Sequence, residues 1–283
     1  MKNPGSSAPW RLIPPMEATG EQLMAIDRWL LQQHRLGKHP PALRFYTWSP
    51  VAISLGYHQR HWPKSWENLS YLGQPVDLVR RPSGGRAVLH QGDLTYMVVT
   101  SEVTSGVRGD SPRNPRFGNR LQAYQEICQF LIQGFLSLGI HLDYGTRTQV
   151  ERTNPPKENV NCFGLATGAD LVLPDRAKLI GSAQLRSQSV ADAISRDGQK
   201  TCYLQHGSIQ LQPDPDLFCQ VFGAEGFAKI GRSDRFPLSL PRDRASLMPI
   251  LIDALVQAAQ DCWGVEFYTQ PLTEAEWAEI GSN

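Results

Sequence analysis

The stretch from Val76 to Thr100 constrains this chain's fold more than any other. Val76–Arg80 is β-prone, Pro82-Ser83-Gly84-Gly85 interrupts it, and Arg86–His90 and Leu94–Thr100 resume the pattern. Short apolar runs punctuated by Gly and Pro read as strands separated by a turn. Paired glycines give the backbone access to positive φ and let a ligand approach where a Cβ would intrude. On the dipeptide alone, a tight hairpin with solvated arginines is the plainer reading. Arginines on both sides could instead grip a phosphate or carboxylate bidentately.

Helical patterning surrounds this β-rich middle. Thr19 and Gln22 have capping-box spacing, and Leu23, Ile26 and Leu30 then recur on one face until Gly37 and Pro40-Pro41 end the run. Leu43–Trp48 and Val51–Tyr57 read as strands split by Ser49-Pro50, and Lys64–Leu72 as a short helical stretch. Leu121, Tyr124, Ile127, Cys128, Leu131, Phe135 and Leu138 predict a second amphipathic helix. Val160–Phe163, Asp170–Leu173, Lys178–Leu185 and Leu204–Leu211 read as further strands. The strongest late helix is Ala245–Cys262, and Thr273–Ile280 opens on a T-x-x-E box. Helices flank runs of mixed strands without strict βαβ alternation, so the expected class is α+β. Residues 103–119 and Asn154-Pro155-Pro156-Lys157 read as loops, and residues 1–16 as a flexible tail.

Composition narrows the function. At 283 residues with 41% hydrophobic content, the chain can bury a large core. Its net charge of +1 argues against a dedicated nucleic-acid binder, and no apolar run is long enough for a membrane helix. The five cysteines are scattered and none forms a C-x-x-C pair. A disulfide framework and a zinc site are therefore not expected, and a reducing cytoplasm is the natural setting.

Three more segments could carry chemistry. A cysteine in a strand, such as Cys162 in Asn161-Cys162-Phe163-Gly164, is usually a small buried hydrophobe. Lys178 leads into Leu179-Ile180-Gly181-Ser182-Ala183-Gln184, whose small residues allow close approach of a ligand. A lysine at a strand start is most often solvated. If it shares a pocket with Cys162, its charge favours the thiolate and can bind an acyl oxygen. His206, in Gln205-His206-Gly207-Ser208-Ile209, and His90 read as structural hydrogen-bonded residues or as substrate-positioning ones.

The order of these segments is more informative than any one of them. Taken with the earlier segment Leu43–Gln59, LRFYTWSPVAISLGYHQ, the series RRPSGGRAVLH, DLTYMVV, Cys-Phe, KLIGSAQ and QHGSI resembles the lipoate/octanoate transferase and ligase superfamily, the biotin/lipoate A/B protein ligase family. The resemblance spans about residues 21–211. It implies a biotin/lipoate ligase-like catalytic fold over 17–283, with a mostly helical part at 212–283. Cys162 precedes the lysine segment, as in LipM-type octanoyltransferases. The implied reaction takes an octanoyl group from acyl carrier protein onto Cys162. It then passes to a lysine of a lipoyl domain or of the glycine-cleavage H protein, without ATP, metal or other cofactor. Lys178 would steady the oxyanion. Arg81, Ser83, Gly84, Gly85, Arg86, His90, Gly181, Ser182, Ala183 and His206 would bind substrate.

Two departures from the family pattern stand out. Asp175-Arg176-Ala177-Lys178 replaces a Gly-Arg-Lys-like turn, and extra polar residues at 187–200 read as an extended hairpin or flap. Other readings are an ATP-dependent lipoate–protein ligase and an amidotransferase between lipoyl carriers. A third is a non-catalytic relative docking acidic carriers through Arg108, Arg113, Arg116 and Arg120.

Overall fold

A computed structural model describes residues 9–101, 120–145, 161, 170–191 and 200–282. The chain opens with β1 (Trp10–Ala18), α1 (Gly20–Arg35), β2 (Ala42–Trp48) and β3 (Ala52–Leu55). A 3-10 turn at Lys64–Asn68 precedes β4 (Ser70–Tyr71), β5 (Gln74–Pro75), β6 (Asp77–Arg80), β7 (Val88–His90) and β8 (Asp93–Ser101). Then come α2 (Arg120–Ser137), β9 (Asp143–Tyr144), β10 (Leu171–Val172), β11 (Lys178–Gln188) and β12 (Thr201–Gln210). The remaining elements are α3 (Pro215–Phe222), α4 (Ala224–Ala228), a 3-10 turn at Ser233–Arg235, α5 (Arg244–Trp263), β13 (Phe267–Thr269) and α6 (Glu274–Gly281).

Eight strands form a mixed sheet in the order β13-β1-β2-β8-β12-β11-β10-β9, and a smaller sheet has the order β6-β3-β7. Because side chains alternate across a strand, β2 and β8 feed two cores at once. Leu43, Phe45, Tyr96 and Val98 pack under α2 and α5 with Ile127, Leu131, Phe135, Leu251 and Leu255. Tyr46, Met97, Val99 and Leu204 pack with Leu23, Ile26 and Leu30 of α1 and Ile280 of α6. Burying each large apolar side chain contributes roughly 1.5–3 kcal/mol. With both faces covered, β2 is buried at every position. This is the expected α+β class, with mixed sheets flanked by helices. Among the described residues, no helix is long and apolar enough to cross a membrane.

Both expected capping boxes form, at Thr19/Gln22 and at Thr273/Glu276. The expected tail over 1–16 does not hold for Trp10 onward. Trp10–Ala18 is a strand running parallel to β2 and β13, and Trp10 stacks on Trp263 with centroids 4.8 Å apart. Pro14-Pro15 hid this strand, since prolines cannot donate to a ladder. Its pairing with β2 shifts register between Ile13 and Met16, which accommodates them. Arg11 then clasps Glu276, with Nη1 and Nη2 at 2.6 and 2.9 Å from its carboxylate oxygens, tying the end of the chain to β1.

The loop expected at 103–119, with Arg108, Arg113 and Arg116, lies outside the described residues, as does the one at 154–157. Around the polar stretch at 187–200, the β11–β12 hairpin pairs as far as Gln188 with Thr201. Residues 192–199 lie outside the described part.

Candidate functional site

The glycine turn is not a hairpin. Its two flanking strands do not pair with each other; β6 runs parallel to β3 and β7 antiparallel to it, on opposite sides. The turn therefore crosses over β3, and Gly85 does so at φ +97°, a conformation that L side chains resist. Arg81 is buried and holds this crossover. Its Nη1 donates to Ser54 O and Ser54 Oγ at 2.6 and 2.8 Å, and its Nη2 to Gly84 O and Arg86 O at 3.1 and 2.9 Å. Its guanidinium is thus engaged with the protein's own backbone, while Arg80 remains exposed on the outside. Arg86 contributes its carbonyl to this arrangement and is half-buried.

Two buried hydrogen-bonded chains meet at the turn. In the first, Asp27 Oδ2 lies 2.9 Å from His206 Nδ1, and His206 Nε2 lies 2.5 Å from Ser83 Oγ. A carboxylate oxygen accepts, so Nδ1 carries a proton, and in the neutral ring Nε2 accepts from the Ser83 hydroxyl. In the second, Asp93 Oδ2 lies 2.8 Å from His90 Nδ1, and His90 Nε2 lies 2.7 Å from Ser54 Oγ. Burial pushes His90 below the ordinary histidine range, outweighing the upward pull of Asp93. For Asp93, burial is opposed by His90, by the Ser208 hydroxyl and by Arg244, and the result lies below the usual carboxylate value.

Asp27 has further partners. Tyr46 OH donates to Oδ2 at 3.0 Å, and the buried Arg44 Nη1 stands 3.4 Å from Oδ1. Burial, followed by the nearby Asp27 charge, raises Tyr46 well above the phenol range.

Beside the turn is a small crevice of about 30 Å³, lined by Gly85, Gly181, Ser182, Ala183, His90 and His206 and by Met24, Tyr46, Trp48 and Val88. Trp48 stacks on His90 with ring centroids 3.8 Å apart. Gly207, on the facing strand, leaves no room for a side chain. A Cβ there would stand 2.5 Å from Ser182 Oγ and 2.6 Å from Tyr96 Cε1. Gly84 lines a second, wider cleft that shares Arg81 with this crevice.

Lys178 is buried, not solvated, and its Nζ lies 3.0 Å from Asp170 Oδ1. Cys162 lies outside the described residues. Its chain neighbour Asn161 is buried and forms a parallel bridge with Ala87, just after the glycine turn. The four described cysteines suit a nucleophilic role poorly. Cys128 and Cys202 are buried in the cores, and burial pushes the Cys128 thiol up to about 12. Cys219 and Cys262 sit on α3 and near the end of α5, and burial raises Cys262 as well.

Asp27, Ser54, Asp93 and Trp48 were not singled out from the sequence. Asp27 had a signal: it falls beside Ile26 on the apolar face of α1, where an unpaired carboxylate is costly. Asp93 follows His90 by three residues, but a loop spacing of this kind has no fixed geometry.

Residues 19–252 match the family model described as lipoyl protein ligase A/B catalytic domain. The chain belongs to that family. Octanoyltransferase LipM of Brevibacillus brevis is 36% identical to this chain over 212 residues, covering 74% of this chain and 68% of its own. Octanoyltransferase LipM of Halalkalibacterium halodurans is 31% identical over 284 residues, covering 96% and 93%. In fold, the chain is similar to a putative lipoate protein ligase from T. acidophilum with bound lipoic acid, at TM-score 0.68 and 19% identity over 97% of this chain and 94% of that one.

Proposed function

We propose that this chain is an octanoyltransferase of lipoate biosynthesis that takes its acyl group from acyl carrier protein and holds it as a thioester on Cys162. The Cys162 thiolate attacks the donor's carbonyl carbon, and the carrier's thiol leaves with a proton. The amine of a lysine on a lipoyl domain or the glycine-cleavage H protein then attacks the acyl-enzyme. An amide forms and the Cys162 thiol is released. The thioester already carries the activation, so ATP is not consumed. Lys178, held by Asp170, supplies the cation that favours the thiolate and steadies the oxyanion. The reaction belongs to the cytoplasm, where thiols stay reduced.

The observation that carries this reading is the narrow crevice between the glycine turn and the Gly181–Ala183 strand. Its lining is mostly apolar, with Met24, Tyr46, Trp48 and Val88 alongside two histidines, which suits an acyl chain. The LipM relatives support octanoyl as the acyl group. Intact mass spectrometry of the protein mixed with octanoyl-acyl carrier protein, without ATP, should show one octanoyl adduct that Cys162→Ser lacks. Full transfer activity in Cys162→Ser would overturn the mechanism.

A further inference from the structure

The net charge of +1 conceals a concentrated basic surface. The wider cleft, about 800 Å³, is lined by Arg28, Arg35, Arg80, Arg81 and Arg186 together with Tyr57 and His58, and, among the described residues, by no Asp or Glu. Arg28 and Arg186 are exposed. Arg35 donates to Gln188 O and Gln32 Oε1, Arg80 to the carbonyls of Gly56, Tyr57 and Gln59, and Arg186 to Tyr203 OH. All these partners are neutral. Among the described residues, Arg28, Arg35, Arg80 and Arg186 form no ion pair with a carboxylate. Like charges gathered without counter-charge repel one another, so the arrangement is stabilised when an anion enters. Guanidinium forks suit phosphate oxygens in particular.

The cleft adjoins the acyl crevice through Arg81, and Gly84 and Gly85 of one turn edge the two openings. We propose that this cleft receives the phosphodiester on the thiol arm of the acyl donor, so that the tail enters the crevice while the phosphate lies among the arginines. This rests on the donor being a carrier-bound thioester. Arg28 and Arg186 bind the phosphate, Arg80 and Arg35 supply field, and Tyr57, 58% exposed, lines the arm's path.

The test compares wild type with Arg28→Gln/Arg186→Gln on three donors: octanoyl-acyl carrier protein, octanoyl-phosphopantetheine and octanoyl-pantetheine. The expected result is a loss of at least about tenfold in kcat/KM for the two phosphate-bearing donors and no change for octanoyl-pantetheine. An equal loss on all three, or no loss on any, overturns the proposal. A loss confined to the carrier protein also overturns it, since an acidic protein surface would then be the ligand. If wild type transfers from no thioester at all, the transferase reading fails separately. Calorimetry with phosphopantetheine and pantetheine then judges the cleft. Phosphate-dependent binding that the double variant loses sustains it, and equal or absent binding of the two overturns it.

Discussion

His206 reaches Ser83 across 123 residues of sequence, and Asp27 holds the other side of its ring. The glycine turn is thereby fastened to the central sheet and to α1 by one imidazole. Replacing Ser83 by Ala leaves Nε2 buried without a donor, at a cost of about 1–3 kcal/mol. Ser83→Ala should lower the Tm and cut octanoyl transfer, whereas Ser83→Thr, which keeps the hydroxyl, should restore most of both. Thermal unfolding and transfer assays on the two variants check this.

Asp27 matters more to stability than Ser83. Asp27→Asn strands the buried Arg44 without its counter-charge, and breaking a buried pair in this way costs about 3–5 kcal/mol. Denaturant unfolding should therefore show a larger loss for Asp27→Asn than for Ser83→Ala. Adding Arg44→Met to Asp27→Asn should recover part of it, because the orphaned charge is gone.

Stability should fall on mild acidification through His90. Its folded pKa lies below the unfolded value of 6.5, so the unfolded chain binds more protons as the pH drops. The neutral histidine costs nothing above that value, and stability is lost as pH falls from 6.5 toward the folded pKa. Denaturant midpoints measured at about pH 7.5 and about pH 5.5 should differ in wild type, and His90→Gln should narrow the difference.

A second acid-sensitive point lies at the chain's end. Arg11 and the capping hydrogen bonds hold Glu276 at about 2, below its ordinary 4.5, despite the opposing effect of burial. Its stabilisation is present above 4.5 and disappears as pH falls toward 2. Glu276→Gln should cost about 1.5–3 kcal/mol near neutral pH and flatten the acid-unfolding curve in that window.

Gly207→Ala should damage the crevice more than the fold. The added methyl meets Ser182, Tyr96 and the carbonyl of Gly181, and overpacking of this kind costs about 1–3 kcal/mol. A displaced β11 should reduce transfer by up to about a hundredfold, since a shift near 1 Å suffices for that. Circular dichroism should show the secondary structure retained.

Some of this was readable in the residues themselves. The α1 and α6 starts were legible because a capping box is a local bond between residues three apart. The α2 and α5 helices announced themselves by period, and the SGGR, KLIGSAQ and QHGSI segments marked the crevice walls. β1 and β13 were not legible. Their pairing joins the two ends of the chain, and Pro14-Pro15 masks the strand pattern. Of the two readings the glycine turn allowed, the hairpin fails, because nothing local reveals that β3 lies between its two arms.

By itself, the sequence determined the main helices, most strands, the class and the glycine-turn, β11 and β12 segments that border the crevice, since these rest on local patterns; the crevice's aromatic lining at Tyr46 and Trp48 came only with the fold. Only tertiary structure decided which carboxylate serves which histidine, that Arg81 braces the turn from inside, and that Lys178 is buried against Asp170. Those pairings span long loops. They are selected by the demand that every buried polar group find a partner, which no short window of sequence expresses.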